Sequence, residues 1–256
     1  MTDAVLSPGK RLRPLAALAA GELARAPKGA ALAPAVAVEL VHAASLVLDD
    51  LPSMDDAGRR RGRPTLHRVY GVATAELAAV ALLSRAFEVV AEAPKMTPRA
   101  RARVGAELAA AVGAGGCCAG QAEDLSADPS AVALDDLEAI HAKKTGALFV
   151  AAVRGGAIAG GAGERLLAAL TAYARNLGLA FQITDDLLDL EGDPERMGKD
   201  VGRDAHRANF ATVLGAESAH RLVDELLETA LAALAPLGRG AAVLADLARV
   251  VRDRRS

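Results

Sequence analysis

Asp49, Asp50, Asp55 and Asp56 fall close together in the first quarter of the chain, and Asp185, Asp186 and Asp189 form a second group near its three-quarter point. Each group follows an apolar run: Leu40-Val41-His42-Ala43-Ala44-Ser45-Leu46-Val47-Leu48 before the first, Leu177-Gly178-Leu179-Ala180-Phe181-Gln182-Ile183-Thr184 before the second. Carboxylates in apolar surroundings are costly unless something neutralises them, and a solvated acidic patch would sit among polar residues instead. Hard divalent cations supply that neutralisation; Mg²⁺ in particular favours one or two carboxylates combined with substrate phosphates over an all-protein cage. Asp185 and Asp189, four apart, share one helix face. Pro52 ends regular helix, so a bent segment must bring Asp49 and Asp55 together. Two such clusters facing each other would form a Mg²⁺-diphosphate clamp.

Basic residues cluster in a complementary way. Lys10, Arg11 and Arg13 stand near the start, Arg59, Arg60, Arg61 and Arg63 follow the first acidic group, and Lys143, Lys144 and Lys199 come later. Arginine's planar fork matches phosphate oxygens and lysine adds a mobile point charge, so the mixture suits diphosphate capture. His42, seven positions before Asp49, lies about two helical turns away on roughly the same face. Gln182 precedes Asp185 by three and brings an uncharged dipole to that face. His67, His141, His206 and His220 are assigned no role.

The elements that must position these groups read as helices. Helical spacing recurs over 15–24, 34–48, 73–91, 98–112, 134–142, 146–159, 165–190, 219–234 and 241–251. These segments are rich in Ala and Leu, and their β-branched residues do not alternate, so an all-α bundle is expected. Breaks fall at 26–29, 58–64, 93–94, 128–129, 160–161 and 192–194, where turn residues gather. Asp135 and Asp136 are expected to cap the helix that carries His141. The glycine-rich run 155–163 lacks the Lys-Ser/Thr ending of a phosphate loop and follows no strand, so it reads as tight helix contact or a loop. Nothing marks a linker, and residues 1–256 are expected to form a single domain.

Bulk composition excludes some classes. Apolar residues make up 52% and charged residues 24%, with a net charge of −2, which fits neither a disordered chain nor a bulk nucleic-acid binder. No uncharged apolar run reaches the roughly 18 residues of a membrane span, and the apolar stretch after Arg13 is too short for a signal peptide. A soluble, cytoplasmic protein with no integral membrane segment is expected. Cys117 and Cys118 have no zinc-like spacing and read as small packing residues. With two Tyr, four Phe and no Trp, the core must rely on aliphatic side chains, which could leave a smooth channel.

The ordered motifs resemble the trans-isoprenyl diphosphate synthases, the polyprenyl synthetase family, from about residue 9 to 256. They are Gly9-Lys10-Arg11-Leu12-Arg13-Pro14, the first aspartate group followed by Arg60-Arg61-Gly62-Arg63-Pro64-Thr65, Lys144-Thr145-Gly146, Phe181-Gln182-Ile183-Thr184-Asp185-Asp186-Leu187-Leu188-Asp189, and Gly198-Lys199. Residues 42–56 and 77–84 are most similar to bacterial geranylgeranyl diphosphate synthases.

This resemblance implies an isoprenoid-synthase helical bundle around a central cavity, working as a homodimer. It implies head-to-tail condensation of isopentenyl diphosphate with an allylic diphosphate, with three Mg²⁺ ions per site. Asp49, Asp55 and Asp185 would hold metal, supported by Asp50 and Asp189. Arg60, Lys144 and Lys199 would hold the leaving diphosphate, and Lys10, Arg13, His42 and Arg61 the diphosphate of isopentenyl diphosphate. Gln182 and the Lys144-Thr145 region would stabilise the allylic cation through dipoles.

Product length in the family depends on bulk just before the first motif. Ala44 and Ser45 stand there and would admit a C20 product, with C15 and C25 as alternatives. Family members carry a longer segment, including a first helix, ahead of the motif that begins here at Gly9. Where they have a lysine after the second motif, this chain has Arg207. A class I terpene cyclase would replace the second aspartate group with another metal motif. A non-catalytic partner subunit would have lost the carboxylates or Lys144-Thr145.

Overall fold

The computed structural model describes residues 1–129, 131–191 and 208–253. Small side chains let the helices approach closely, and α9 (Ala147–Ala159) shows the result: ten of its residues are buried, from Leu148 to Ala159. Around it pack α2 (Leu12–Leu23), α3 (Leu32–Asp49), α6 (Pro98–Val112) and α10 (Glu164–Glu191). The glycine-rich run falls at the end of α9 and in the turn beyond, where a Cβ on Gly156 would stand 1.9 Å from the Ala17 carbonyl oxygen. Helices α2 and α9 meet backbone to backbone there, in the tight contact expected of that run.

Outside this layer, α5 (Val72–Ala91) covers α3, while α12 (Ala216–Leu234) and α13 (Ala242–Arg252) cover α10. The Tyr173 hydroxyl, fully buried in α10, donates to the Leu244 carbonyl at 2.6 Å and ties the C-terminal helix to the bundle. Arg154 of α9 forks onto Glu107 of α6 at 2.8 and 2.6 Å and reaches Thr171 of α10 at 3.0 Å. One apolar core runs through all of these helices.

The expected long helices are present with ends shifted by a few residues, and the shorter elements add to them. Residues 117–126 form α7 (Cys117–Ser126); Cys117 is half-buried, whereas Cys118 is exposed and packs against nothing in the core. Helix α8 (Leu134–His141) starts after Ala133, so Asp135 and Asp136 are not its cap. They lie in the first turn, where their charge favours the positive end of the helix dipole. Short helices α1 (Thr2–Val5), α4 (Leu66–Tyr70) and α11 (Phe210–Leu214) complete the set. The break at 58–64 holds a small hairpin, β1 (Arg59–Arg60) with β2 (Arg63–Pro64), whose two turn residues Arg61 and Gly62 both have positive φ.

Two stretches, Leu32–Asp49 and Ala216–Arg252, are long and apolar enough by composition to cross a membrane. The first is α3, which lies inside the bundle and pairs its Glu39 with Arg11. A cavity of about 270 Å³ lies between α1, α3 and α4, lined by Ala43, Leu46, Val47, Asp50, Arg60 and Tyr70 among others, and Asp49 is not part of its lining.

Candidate active site

The first aspartate motif is shaped by how α3 ends. Its last carbonyls lack intrahelical partners, and the following loop doubles back to supply them. The amide of Asp55 donates to the Asp49 carbonyl at 2.9 Å, that of Ala57 to Asp50 at 3.1 Å, and that of Asp56 to Leu51 at 2.9 Å. Asp56 pays a conformational penalty, with φ of +44°. The bend expected at Pro52 therefore brings Asp49 and Asp55 side by side.

Asp49 sits at a helix C-terminus, where the dipole disfavours a negative charge. Burial raises its pKa to about 6 from an ordinary 3.8; the Lys144 charge opposes that shift and the Asp55 charge adds to it. Asp50 points elsewhere. Buried at 5% exposure, it accepts from Arg60 Nε at 2.8 Å and pairs with the charged Nη2 at 2.7 Å, and burial still holds its pKa above the ordinary value.

The second motif lies on the straight C-terminal half of α10. Asp185 and Asp189 are partly exposed on one face, whereas Asp186 is buried on another. Asp186 accepts from Gln182 Nε2 at 2.8 Å and from the Phe210 amide at 2.9 Å, anchoring α11. Gln182 in turn accepts from the Thr145 hydroxyl at 2.8 Å. Thr145 belongs to a single π-turn, Ala142–Gly146, between α8 and α9. Such turns occur often at functional sites because they shift side chains off the regular helical positions. Lys144 of this turn reaches Asp124 of α7 at 2.6 Å, and Lys143 reaches Glu123 at 2.6 Å.

Helix α7 can stand this close only because Gly120 has no side chain, since a Cβ there would lie 2.3 Å from the Lys144 amide nitrogen. Its Gln121 also touches the first motif, donating to the Met54 sulfur at 3.7 Å. Gln121, Glu123 and Asp124 were not singled out from sequence. Their only signal was Gln121 and Asp124 three apart, on one face of a segment too rich in glycine to look helical.

Between the two motifs lies a cationic floor. Arg61 donates to the Pro8 carbonyl at 2.5 Å and holds the N-terminal loop. Arg13 is buried, and burial lowers its pKa without neutralising it. His42 is driven well below its ordinary pKa by burial first and then by the charges of Arg13, Arg61, Arg60 and Arg11, so it is neutral at pH 7. Asp185 acts electrostatically on both Arg13 and Arg61, and Asp49 on the neighbouring Cys117, whose pKa burial raises to about 11. Both motifs thus border one group of side chains. Lys10 is exposed in the loop beside them, while Lys199 and Arg207 lie outside the described residues. Ser45 is half-buried, whereas Ala44 is completely buried, some 140° round α3 from Asp49 at 100° per residue.

Among the described residues, no three carboxylate, imidazole or thiol groups converge tightly enough to hold a metal alone. This arrangement suits Mg²⁺, whose remaining positions go to phosphate and water. Asp49, half-buried and with its pKa raised by desolvation, is the kind of ligand a cation would relieve.

The polyprenyl synthetase family profile matches residues 1–232. A farnesyl diphosphate synthase of Escherichia coli (strain K12) is 45% identical over 234 residues, covering 90% of this chain and 78% of its own. Geranylgeranyl pyrophosphate synthase 4 of Arabidopsis thaliana is 42% identical over 88% of this chain and 62% of its own. The structure of a geranyltransferase from Helicobacter pylori, complexed with magnesium and isoprenyl diphosphate, superposes with a TM-score of 0.87 at 31% identity, covering 98% of this chain and 84% of its own. The chain therefore belongs to the polyprenyl synthetase family and is a trans-prenyltransferase.

Proposed function

We propose that this enzyme condenses isopentenyl diphosphate with an allylic diphosphate, head to tail, to give geranylgeranyl diphosphate. The observation that carries this reading is the pair of carboxylate motifs bordering one cationic floor, with the neutral Gln182-Thr145 dipoles between them. Magnesium, three ions when fully loaded, supplies Lewis-acid neutralisation of the charge that develops on the departing diphosphate.

Asp49, Asp55 and Asp185 hold the metal, and Asp189 supports them from the next turn. Lys144 leaves Asp124 and Arg60 leaves Asp50 to meet the allylic diphosphate, joined by Lys199 and Arg207. Arg13, Arg61, Lys10 and neutral His42 bind the diphosphate of isopentenyl diphosphate. Gln182 and Thr145 present fixed dipoles to the allylic cation, where preorganised dipoles act most strongly. The released diphosphate takes the proton lost after condensation, so no side-chain base is required.

A C20 product is supported by the absence of any Phe, Tyr or Trp from α3 and by Ala44 and Ser45 ahead of Asp49. A C15 product is the second reading, favoured by the farnesyl synthase relative from Escherichia coli. Supplying isopentenyl diphosphate with dimethylallyl, geranyl or farnesyl diphosphate and Mg²⁺, then measuring product length, decides between them. Ser45, rather than Ala44, shares the face of Asp49, so Ser45→Phe is expected to shorten the product while sparing the first condensation. Ala44→Phe should shorten it as well, but at a cost of about 1–3 kcal/mol from overpacking.

The chain forms one soluble, cytoplasmic domain and pairs with a second copy through α5, where Leu77 and Val80 are 70% and 58% exposed. Light scattering after gel filtration tests that pairing, and a monomeric mass would contradict it.

A further inference from the structure

Arg13 stands at the start of α2 with only 9% of its surface exposed, and its guanidinium makes no hydrogen bond or ion pair with any described residue. A buried cation is costly unless its charge is met. Its close company is aromatic: the guanidinium carbon lies 4.4 Å from the Phe149 ring centroid and 5.6 Å from that of Phe181. The two rings stand 5.4 Å apart with a 53° tilt. Only four Phe and no Trp occur in the chain, so half of its phenylalanines converge on one arginine, and Phe149 is completely buried.

A carboxylate partner would have cancelled the charge and occupied the fork. A ring face attracts the cation through its quadrupole while leaving the N–H groups, which point outward in the guanidinium plane, free to donate. The platform therefore keeps Arg13 charged, unpaired and fixed in direction. The fork then matches two oxygens of a phosphate without giving up a bond it already makes.

We propose that Phe149, seconded by Phe181, is the positioning residue that sets affinity for the diphosphate of isopentenyl diphosphate through Arg13. This rests on the assignment of Arg13 to that diphosphate in the proposed function. Binding of isopentenyl diphosphate alone, measured by calorimetry in EDTA, reads the effect without metal or turnover. Steady-state kinetics then gives KM for each substrate.

Phe149→Leu should weaken isopentenyl diphosphate binding and raise its KM about tenfold, the scale of a desolvated cation–π contact. The KM for the allylic diphosphate and kcat at saturation should stay within about twofold, and Phe149→Tyr, which keeps the ring, should restore affinity. On an Arg13→Ala background, Phe149→Leu should add nothing, as expected for two residues acting as one unit. Equal rises in both KM values, or a further loss on the Arg13→Ala background, would overturn the inference.

If Phe149→Leu fails to fold, Phe181→Leu at the half-buried ring should give a smaller change of the same kind, and no change there also overturns it. Should Arg13→Ala leave the affinity intact, the assignment of Arg13 itself fails. Should Arg13→Ala weaken binding while Phe149→Leu does not, only the positioning role fails.

Discussion

The first aspartate motif is built on a bend and the second on a straight helix, yet each divides its adjacent Asp-Asp pair in the same way. Asp49 and Asp185 turn toward the cationic floor, while Asp50 and Asp186 turn into the protein and hold something in place. The holding partners differ. Asp50 engages Arg60, a cation that the proposed chemistry also needs, so that contact can be exchanged when diphosphate arrives. Asp186 engages the Phe210 amide and Gln182, neutral groups that α11 and the π-turn keep in place. On the proposed chemistry, one motif is thus anchored by an ion pair that substrate exchanges and the other by a hydrogen-bond network that stays, so a substrate-driven change would belong to the first.

The largest expected effect follows from that division. Asp49→Ala and Asp185→Ala should each lower kcat/KM about 10³-fold, the scale of removing one electrostatic stabiliser of a transition state, with little loss of stability. Asp186→Ala should act in the opposite sense. It strands the buried Phe210 amide and Gln182, costing about 1–3 kcal/mol of stability. For a chain of this size, that lowers the melting temperature by roughly 2–12 °C. Asp50→Ala should leave stability closer to wild type and raise the KM for the allylic diphosphate, since Arg60 loses its guide. If Asp50→Ala and Asp186→Ala behaved alike in both assays, the contrast between labile and permanent anchoring would break.

A second, smaller effect concerns pH. With a pKa of about 6 in the fold and an ordinary value of 3.8, Asp49 still holds its proton between those limits when the unfolded chain has released it. The unfolded state then binds fewer protons, so this group lowers the stability of the metal-free protein as pH rises from about 4 to 6, and the full cost remains above that. Mg²⁺ affinity should move the other way, weakening about tenfold per unit below pH 6 as Asp49 protonates. Thermal unfolding in EDTA and under Mg²⁺ titration, at pH 5 and pH 7, checks both signs. Asp49→Asn should lessen that fall in EDTA while leaving the share of Asp50, whose pKa burial also raises, and an unchanged slope in this variant would show that burial does not control Asp49.

Some of this site can be read from the chain because it obeys local periods. Asp185 and Asp189 share a face by helical spacing, and Pro52 forces the bend that joins Asp49 to Asp55. The division within each Asp-Asp pair is not local, since Asp50 meets Arg60 across the loop and Asp186 meets a backbone amide twenty-four residues later. Helix α7 escapes notice because Gly113, Gly115 and Gly116 just before it and Gly120 within it lower helix propensity, and Gly120 serves close approach to Lys144 instead. Asp135 and Asp136 carry a cap's chemistry but fall inside the first turn, a displacement of the size by which helix ends are commonly misjudged. Arg13 reads as a phosphate ligand in the Gly-Lys motif, whereas its aromatic platform depends on residues 149 and 181, far away in sequence.

The permanent network behind the second motif can be tested most finely at Thr145. Its hydroxyl donates to Gln182, whose amide donates to Asp186, so one bond links the π-turn to α10. Valine has nearly the shape of threonine but no donor, and Thr145→Val leaves the Gln182 carbonyl without that bond while the Asp186 contact persists. Loss of one such bond costs about 1 kcal/mol, and about fivefold in kcat is expected if the fixed Gln182 dipole faces the allylic cation. Thr145→Ser, which restores the donor, should recover most of the rate. A drop as deep as that of Asp185→Ala would make Thr145 a direct participant in the chemistry. An unchanged kcat with a lowered melting temperature would confine the network to holding the helix, and the second motif would then be permanent scaffold behind Asp185 and Asp189, the two aspartates proposed to meet metal.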